Sequence, residues 1–338
     1  MRYIFVVVLA IGFSHVGCLV EENKLPDEFK QAIPEAGIVN LDIPGGGDSE
    51  TLRQALRSGK ADGDVKAKYY LDTINGVRGL NAMTWGLLHL VDDITDNPYT
   101  EKVDNGFVWG PHTPALSLVT IKFTLLKEGD NHFSYSLQVR KKEDSSGPFD
   151  DVLTGEYQSS GGALKSVGIM VLDFDTMKSL DQTTVASGVI TFDYDTAGDG
   201  RVINVMLDGF QDGEMDEPGD ATYSYQENAD LSGQYGFSLV ADVHQDDPER
   251  QDLVLKENLS YHIRWTAAGN GRADVLVTGG DLPNVTPAVE SFYVSECWDE
   301  FFNQVFLQQT VMLAAGDPWE GEPIGDGTQC IFAEAVFR

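Results

Sequence analysis

The sequence predicts a mainly β protein: a large antiparallel up-and-down sheet, a barrel or half-barrel, with an N-terminal helical segment packed on it. Three observations carry this expectation. From Phe107 onward the apolar residues recur with a period of two, which puts alternate side chains on opposite faces of a strand. These runs are separated by Gly, Asp and Asn turns, as in barrels and sandwiches. Helical spacing is confined to residues 64–95, and the strand–helix alternation of a parallel sheet is missing.

Within 64–95, Val65, Tyr69, Ile74, Val77, Leu80, Leu87, Leu88, Val91 and Ile94 fall on helical spacing. Gly76, Gly79 and Gly86 each cost a helix roughly 1 kcal/mol and divide the segment in two by this reading. Leu87 to Val91 is apolar on more than one face and needs cover. His89 within it reads as a core or lid residue.

The clearest hairpin joins 118–125 to 132–139 through Glu128-Gly129-Asp130-Asn131. A second joins 261–265 to 273–277 through Ala268-Gly269-Asn270-Gly271. Further strands are expected at 152–157, 164–174, 189–194, 202–207, 221–225, 235–243, 253–255 and 292–294. The segment 168–176 is echoed at 188–196. Two copies are too few for a solenoid and read as two strands with similar acidic edges.

The N-terminus has a different character. Met1-Arg2-Tyr3 is a short basic start, Ile4 to Phe13 an apolar run, and Ser14-His15-Val16-Gly17-Cys18 a small-residue close. This is the layout of a secretory signal over residues 1–17, with an apolar run too short to span a bilayer. A cysteine after a small residue at this point resembles the lipobox of bacterial lipoproteins, with His15 standing where that pattern prefers Leu. The resemblance implies a lipid on Cys18, membrane tethering, and a place in the bacterial envelope. Leu19, where an Asp would imply inner-membrane retention, points to the outer membrane. The alternative is ordinary cleavage near Gly17, with Cys18 a plain thiol. Residues 18–63, punctuated by Pro26, Pro34 and Pro44-Gly45-Gly46-Gly47, read as anchor and flexible spacer, leaving 64–338 as a single β-rich domain.

If Cys18 is set aside for lipid, Cys297 and Cys330 remain as an even pair in an oxidising compartment, and a disulfide between them is expected. Two buried thiols are the alternative.

The 338 residues carry 54 Asp and Glu against 23 Lys and Arg. Removing 1–17 takes away only Arg2 among the charges, leaving −32. Such a surface repels phosphate backbones and anionic headgroups, which argues against nucleic acid as a partner. The membrane would be reached through the tether alone.

No Gly-x-Ser-x-Gly elbow, His-Glu-x-x-His helix, Walker loop or Cys-x-x-Cys is present, so no catalytic residue is assigned and an enzyme is the third reading, with no specific residue behind it. Asp193, Asp195 and Asp199 offer carboxylates for calcium, the one cofactor considered. A plain Asp-Gly hairpin turn is the alternative. Asp242, His244 and Asp246 place three possible metal ligands on one face of an expected strand, a grouping that an acidic chain also produces by chance.

Two functional readings remain. The first is non-enzymatic binding of a small apolar ligand or lipid, since a tethered helix-plus-sheet chain looks similar to the half-barrel lipid carriers of bacterial envelopes. It implies an apolar cavity between the sheet and residues 64–95. The second is a surface structural or adhesion module, stabilised by calcium in one version.

Overall fold

The structure is a computed structural model that describes residues 24–30, 39–44, 65–114, 117–160, 165–212, 218–244, 250 and 252–337. The signal, Cys18 and most of 18–63 lie outside the described residues. So do Gln245 to Glu249, including Asp246.

The chain is mainly β and antiparallel. Strands β1 (Glu101–Val103), β2 (Gly106–His112), β3 (Val119–Gly129), β4 (His132–Lys141), β5 (Asp150–Ser159), β6 (Ser166–Asp173), β7 (Ser187–Asp195) and β8 (Arg201–Gln211) are followed by β9 (Gly219–Glu227), β10 (Gly233–Ala241), β11 (Glu257–Trp265), β12 (Gly271–Gly279), β13 (Val289–Trp298), β14 (Gln304–Leu313), β15 (Trp319–Glu320) and β16 (Ile324–Gly325). Sheet order follows chain order from β1 to β15, with β16 beside β14. β1 and β15 each have one strand partner, so among the described residues the sheet is up-and-down but not closed into a barrel. Helices are α1 (Asp27–Lys30), α2 (Lys68–Thr95) and α3 (Phe174–Leu180).

By contact density the chain divides into two units, Met1–Asn40 with Gly79–Gly219 and Leu41–Arg78 with Asp220–Arg338. The division runs through the stretch expected as one domain, and through α2.

In the first unit, alternation does what the period of two requires. β4 buries Phe133, Tyr135, Leu137 and Val139 and leaves the residues between them at the surface. The turn before it places Asn131 at φ 57°, a left-handed position that Asn tolerates. Met83, Leu88, Val91 and Ile94 of α2 are buried, as are Phe29 of α1 and Val39. Phe29 meets Phe107 and Phe133 edge-on, with centroids 4.8 and 5.4 Å apart. Each such buried ring contributes on the order of 1.5–3 kcal/mol.

In the second unit, Tyr70 of α2 stacks on Phe302, with centroids 4.5 Å apart, and donates to the Pro44 carbonyl. The Tyr225 hydroxyl donates to the Asp42 carbonyl and accepts from the Asp42 N–H. Leu41 and Ile43 are buried beside this anchor.

α2 is one helix of 28 residues, undivided at its glycines. Its N-terminus is capped from a distance. The carboxylate of Glu296, on β13, accepts from the N–H of Lys68 at 2.8 Å and of Tyr69 at 2.7 Å, two donors that no helical carbonyl can serve. Pro98 stands shortly after its end, where it cannot continue a helix.

One device recurs in the sheet. Gly155, Gly168, Gly233 and Gly271 sit directly opposite Tyr135, Tyr194, Trp265 and Trp298 on the neighbouring strands. A Cβ on Gly168 would lie 2.3 Å from the Tyr194 hydroxyl oxygen, and one on Gly271 2.3 Å from the Trp298 ring. The large ring lies over the space the glycine leaves, which pins the register of the pair.

Three further expectations are corrected. Leu253 to Leu255 form no strand; Val254 and Leu255 are exposed and the Leu255 N–H donates to Asp281 instead of a ladder. The strand expected over 164–174 stops at Asp173, whose carboxylate caps α3 by accepting from the Thr176 N–H and hydroxyl. His89 is exposed against the Trp85 ring, centroids 4.4 Å apart, not a core residue.

Candidate metal centre

The acidic trio read as a calcium site is not brought together. Asp193, Asp195 and Asp199 are all exposed. Asp195 accepts from the Ala197 N–H at 2.9 Å, holding its own turn, and Asp199 faces Lys165 at 3.4 Å. Among the described residues one group of three His, Cys, Asp or Glu side chains has ligand atoms all within 4.8 Å of one another: Asp242, His244 and Glu257. Two of its members, Asp242 and His244, are those singled out in the sequence. The third, Glu257, is a residue that sequence spacing did not suggest, and Asp246 lies outside the described residues.

The site lies at one end of the β10–β11–β12 hairpins. Asp242 follows the last residue of β10, and its Oδ1 accepts from the His244 N–H at 2.8 Å, folding the turn so that both side chains leave it together. Glu257 opens β11, paired with Ala241 on one side and Gly279 on the other. It is fully buried. Its Oε2 accepts from the Val243 N–H at 3.1 Å and its Oε1 from the Asp281 N–H at 2.9 Å. Gly280 makes room for it: a Cβ there would stand 2.4 Å from Oε1, and its φ of +55° also disfavours a side chain.

His244 is buried, and its Nδ1 has no hydrogen-bond partner. Nδ1 lies 3.7 Å from Glu257 Oε1, beyond hydrogen-bond reach. Asp242 is half-buried at the edge of the group. The arrangement therefore offers one imidazole nitrogen and two carboxylates to a shared point, two of the three on buried side chains.

The cysteine pair is present. Cys297 and Cys330 form a disulfide with Cα atoms 5.5 Å apart. It fastens a C-terminal segment that a buried ionic network also holds. Asp274 accepts from Arg272 Nε at 2.8 Å, Arg264 Nη2 at 3.0 Å, Ser295 Oγ at 2.7 Å and the Val336 N–H at 3.1 Å. Arg272 donates on to the carbonyls of Phe332 and Ala333, and Arg264 to that of Glu334. Glu257 and this network depend on cross-strand pairing and Glu296 on the approach of α2 to β13, none of which sequence spacing shows.

Three surface depressions stand out. One of about 270 Å³ lies on the first unit and is lined by Leu126, Ser136, Thr154, Ile169 and Val171 among others. Depressions of about 800 and 380 Å³ lie on the second, beside Trp265 and Phe332 and beside Tyr293 and Phe306. None of the three is lined by residues 64–95. No helix among the described residues is long and apolar enough to cross a membrane. Trp109, Trp265 and Trp298 are core residues, whereas Trp85 and Trp319 are exposed. Compared with family models, curated proteins and solved structures, the chain finds no match in any of the three.

Proposed function

We propose that this chain is a non-enzymatic surface module of the bacterial envelope, held at the outer membrane by a lipid on Cys18. It works through exposed sheet surface and encloses no ligand. The observation that carries this reading is the inner face of each unit's sheet. Tyr157 and Tyr194 in the first unit, and Tyr235 and Trp265 in the second, are each at most 2% exposed. Side chains of this size occupy the space a carrier would keep for its cargo.

A second reading, binding of an apolar ligand or lipid, draws on a different observation. On the outward face of the first unit, Val167, Ile169, Val202 and Met206 are at least 40% exposed, and the smallest depression adjoins them. Such a ligand would lie along the sheet.

Native mass spectrometry of the chain extracted from membranes in mild detergent separates the readings. The surface-module reading expects the mass of the chain from Cys18 plus its acyl groups, with Cys18→Ser released from the membrane. A further lipid at one per chain would support the second reading. Wild-type chain that leaves the membrane fraction without detergent would remove the tether.

A further inference from the structure

We propose that Asp242, His244 and Glu257 bind one divalent transition-metal ion of the zinc class, with solvent completing its coordination. The inference is independent of the tether and of which surface the module uses.

The unpartnered imidazole nitrogen is where the argument starts. A buried polar atom without a partner is costly, and protein interiors rarely leave one. His244 Nδ1 is such an atom. A proton shared with Glu257 does not account for the geometry, since a charge-assisted N–H···O bond closes to about 2.7–2.9 Å and the separation is 3.7 Å. Two ligands of one tetrahedral zinc, each about 2.0–2.1 Å from the ion, stand about 3.3 Å apart. The observed gap is nearer to that spacing.

The surrounding chain supports a built site. Both Glu257 oxygens are held by backbone N–H groups of Val243 and Asp281, which orient a ligating carboxylate as hydrogen-bonded outer partners do in metal sites. Among the described residues the basic side chain that faces this buried carboxylate is the imidazole of His244, at 3.7 Å. A cation between them would neutralise a charge that burial otherwise makes expensive.

The donor set chooses the ion. Calcium takes six to eight oxygens and magnesium keeps an octahedral shell of oxygens. One imidazole with two carboxylates suits zinc and its neighbours in the first transition row. Half-buried Asp242 leaves the mouth of the group open to a water ligand.

The test is isothermal titration calorimetry on the full chain after dialysis against a chelator, with zinc chloride and calcium chloride as probes. One zinc is expected at an affinity at least a hundredfold above that of calcium. His244→Ala and Asp242→Asn are each expected to weaken it tenfold or more, whereas Asp193→Asn leaves it unchanged. Asp242→Asn keeps the test available if His244→Ala disturbs folding, because Asp242 is half-buried. Zinc bound equally well by wild type and Asp242→Asn, or calcium bound as tightly as zinc, overturns the proposal.

Discussion

Glu296→Gln is expected to remove a pH-dependent part of the stability of the second unit. Glu296 is fully buried, and its two oxygens take the first N–H groups of α2. Burial raises its pKa from 4.5 to about 7, while the backbone donors pull the other way without prevailing. Between these two values the folded chain keeps a proton that the unfolded chain has released. The contribution is therefore complete below pH 4.5 and is lost as pH rises through 7. At about 1.36 kcal/mol per pKa unit, a shift of this size is worth about 3 kcal/mol. Urea unfolding followed by tryptophan fluorescence, at intervals from pH 4.5 to 8, reads it through buried Trp265 and Trp298. Subtracting the Gln variant cancels the other titrating carboxylates. The difference, wild type minus variant, should fall by about 3 kcal/mol across the range, with a steepest slope of about 1.4 kcal/mol per pH unit. A flat or rising difference would refute the burial argument and mean that the N–H donors keep the carboxylate charged.

Three other variants probe the frame. Gly168→Ala drives a Cβ into the Tyr194 ring and should destabilise by about 1–3 kcal/mol in denaturant melts; an unchanged midpoint would mean the ring is free to move. Gly76→Ala meets nothing within 4 Å on α2 and should stabilise by roughly 0.5–1 kcal/mol, seen as a higher thermal midpoint. Cys297→Ser with Cys330→Ser opens a loop of 33 residues and should cost roughly 3–4 kcal/mol in the chain-entropy model. Because Arg272 and Arg264 still grip the segment at 332–334, protection of its amides from hydrogen exchange should fall without vanishing.

How much was legible follows from where each signal lives. β3, β4 and β11 were readable because each buries mainly one face, and β12 because its apolar Ala273, Val275 and Val277 alternate even though Arg272 and Asp274 on its other face are buried too. β14 was not, since Gln304 to Leu313 is half-buried on both faces and has no period to detect. α3 was hidden because Asp173, its cap, also ends a strand-like run. Asp242 and His244 were visible as near neighbours. Glu257 was not, because only the β10–β11 pairing brings it to them.

The sequence by itself pointed to the antiparallel β class, the two main hairpins, a helical segment within 64–95 and, with Cys18 set aside, the pairing of Cys297 with Cys330. All of these rest on local periodicity, on turn chemistry and on a cysteine count. Only the tertiary structure decided that the sheet is open among the described residues, that the chain divides at 40/41, 78/79 and 219/220, that Glu296 caps α2, and that Glu257 completes the group with His244. Tertiary packing, cross-strand register included, sets these contacts. It joins residues far apart in the chain, and a period of two says which face a side chain takes but not which neighbour it meets.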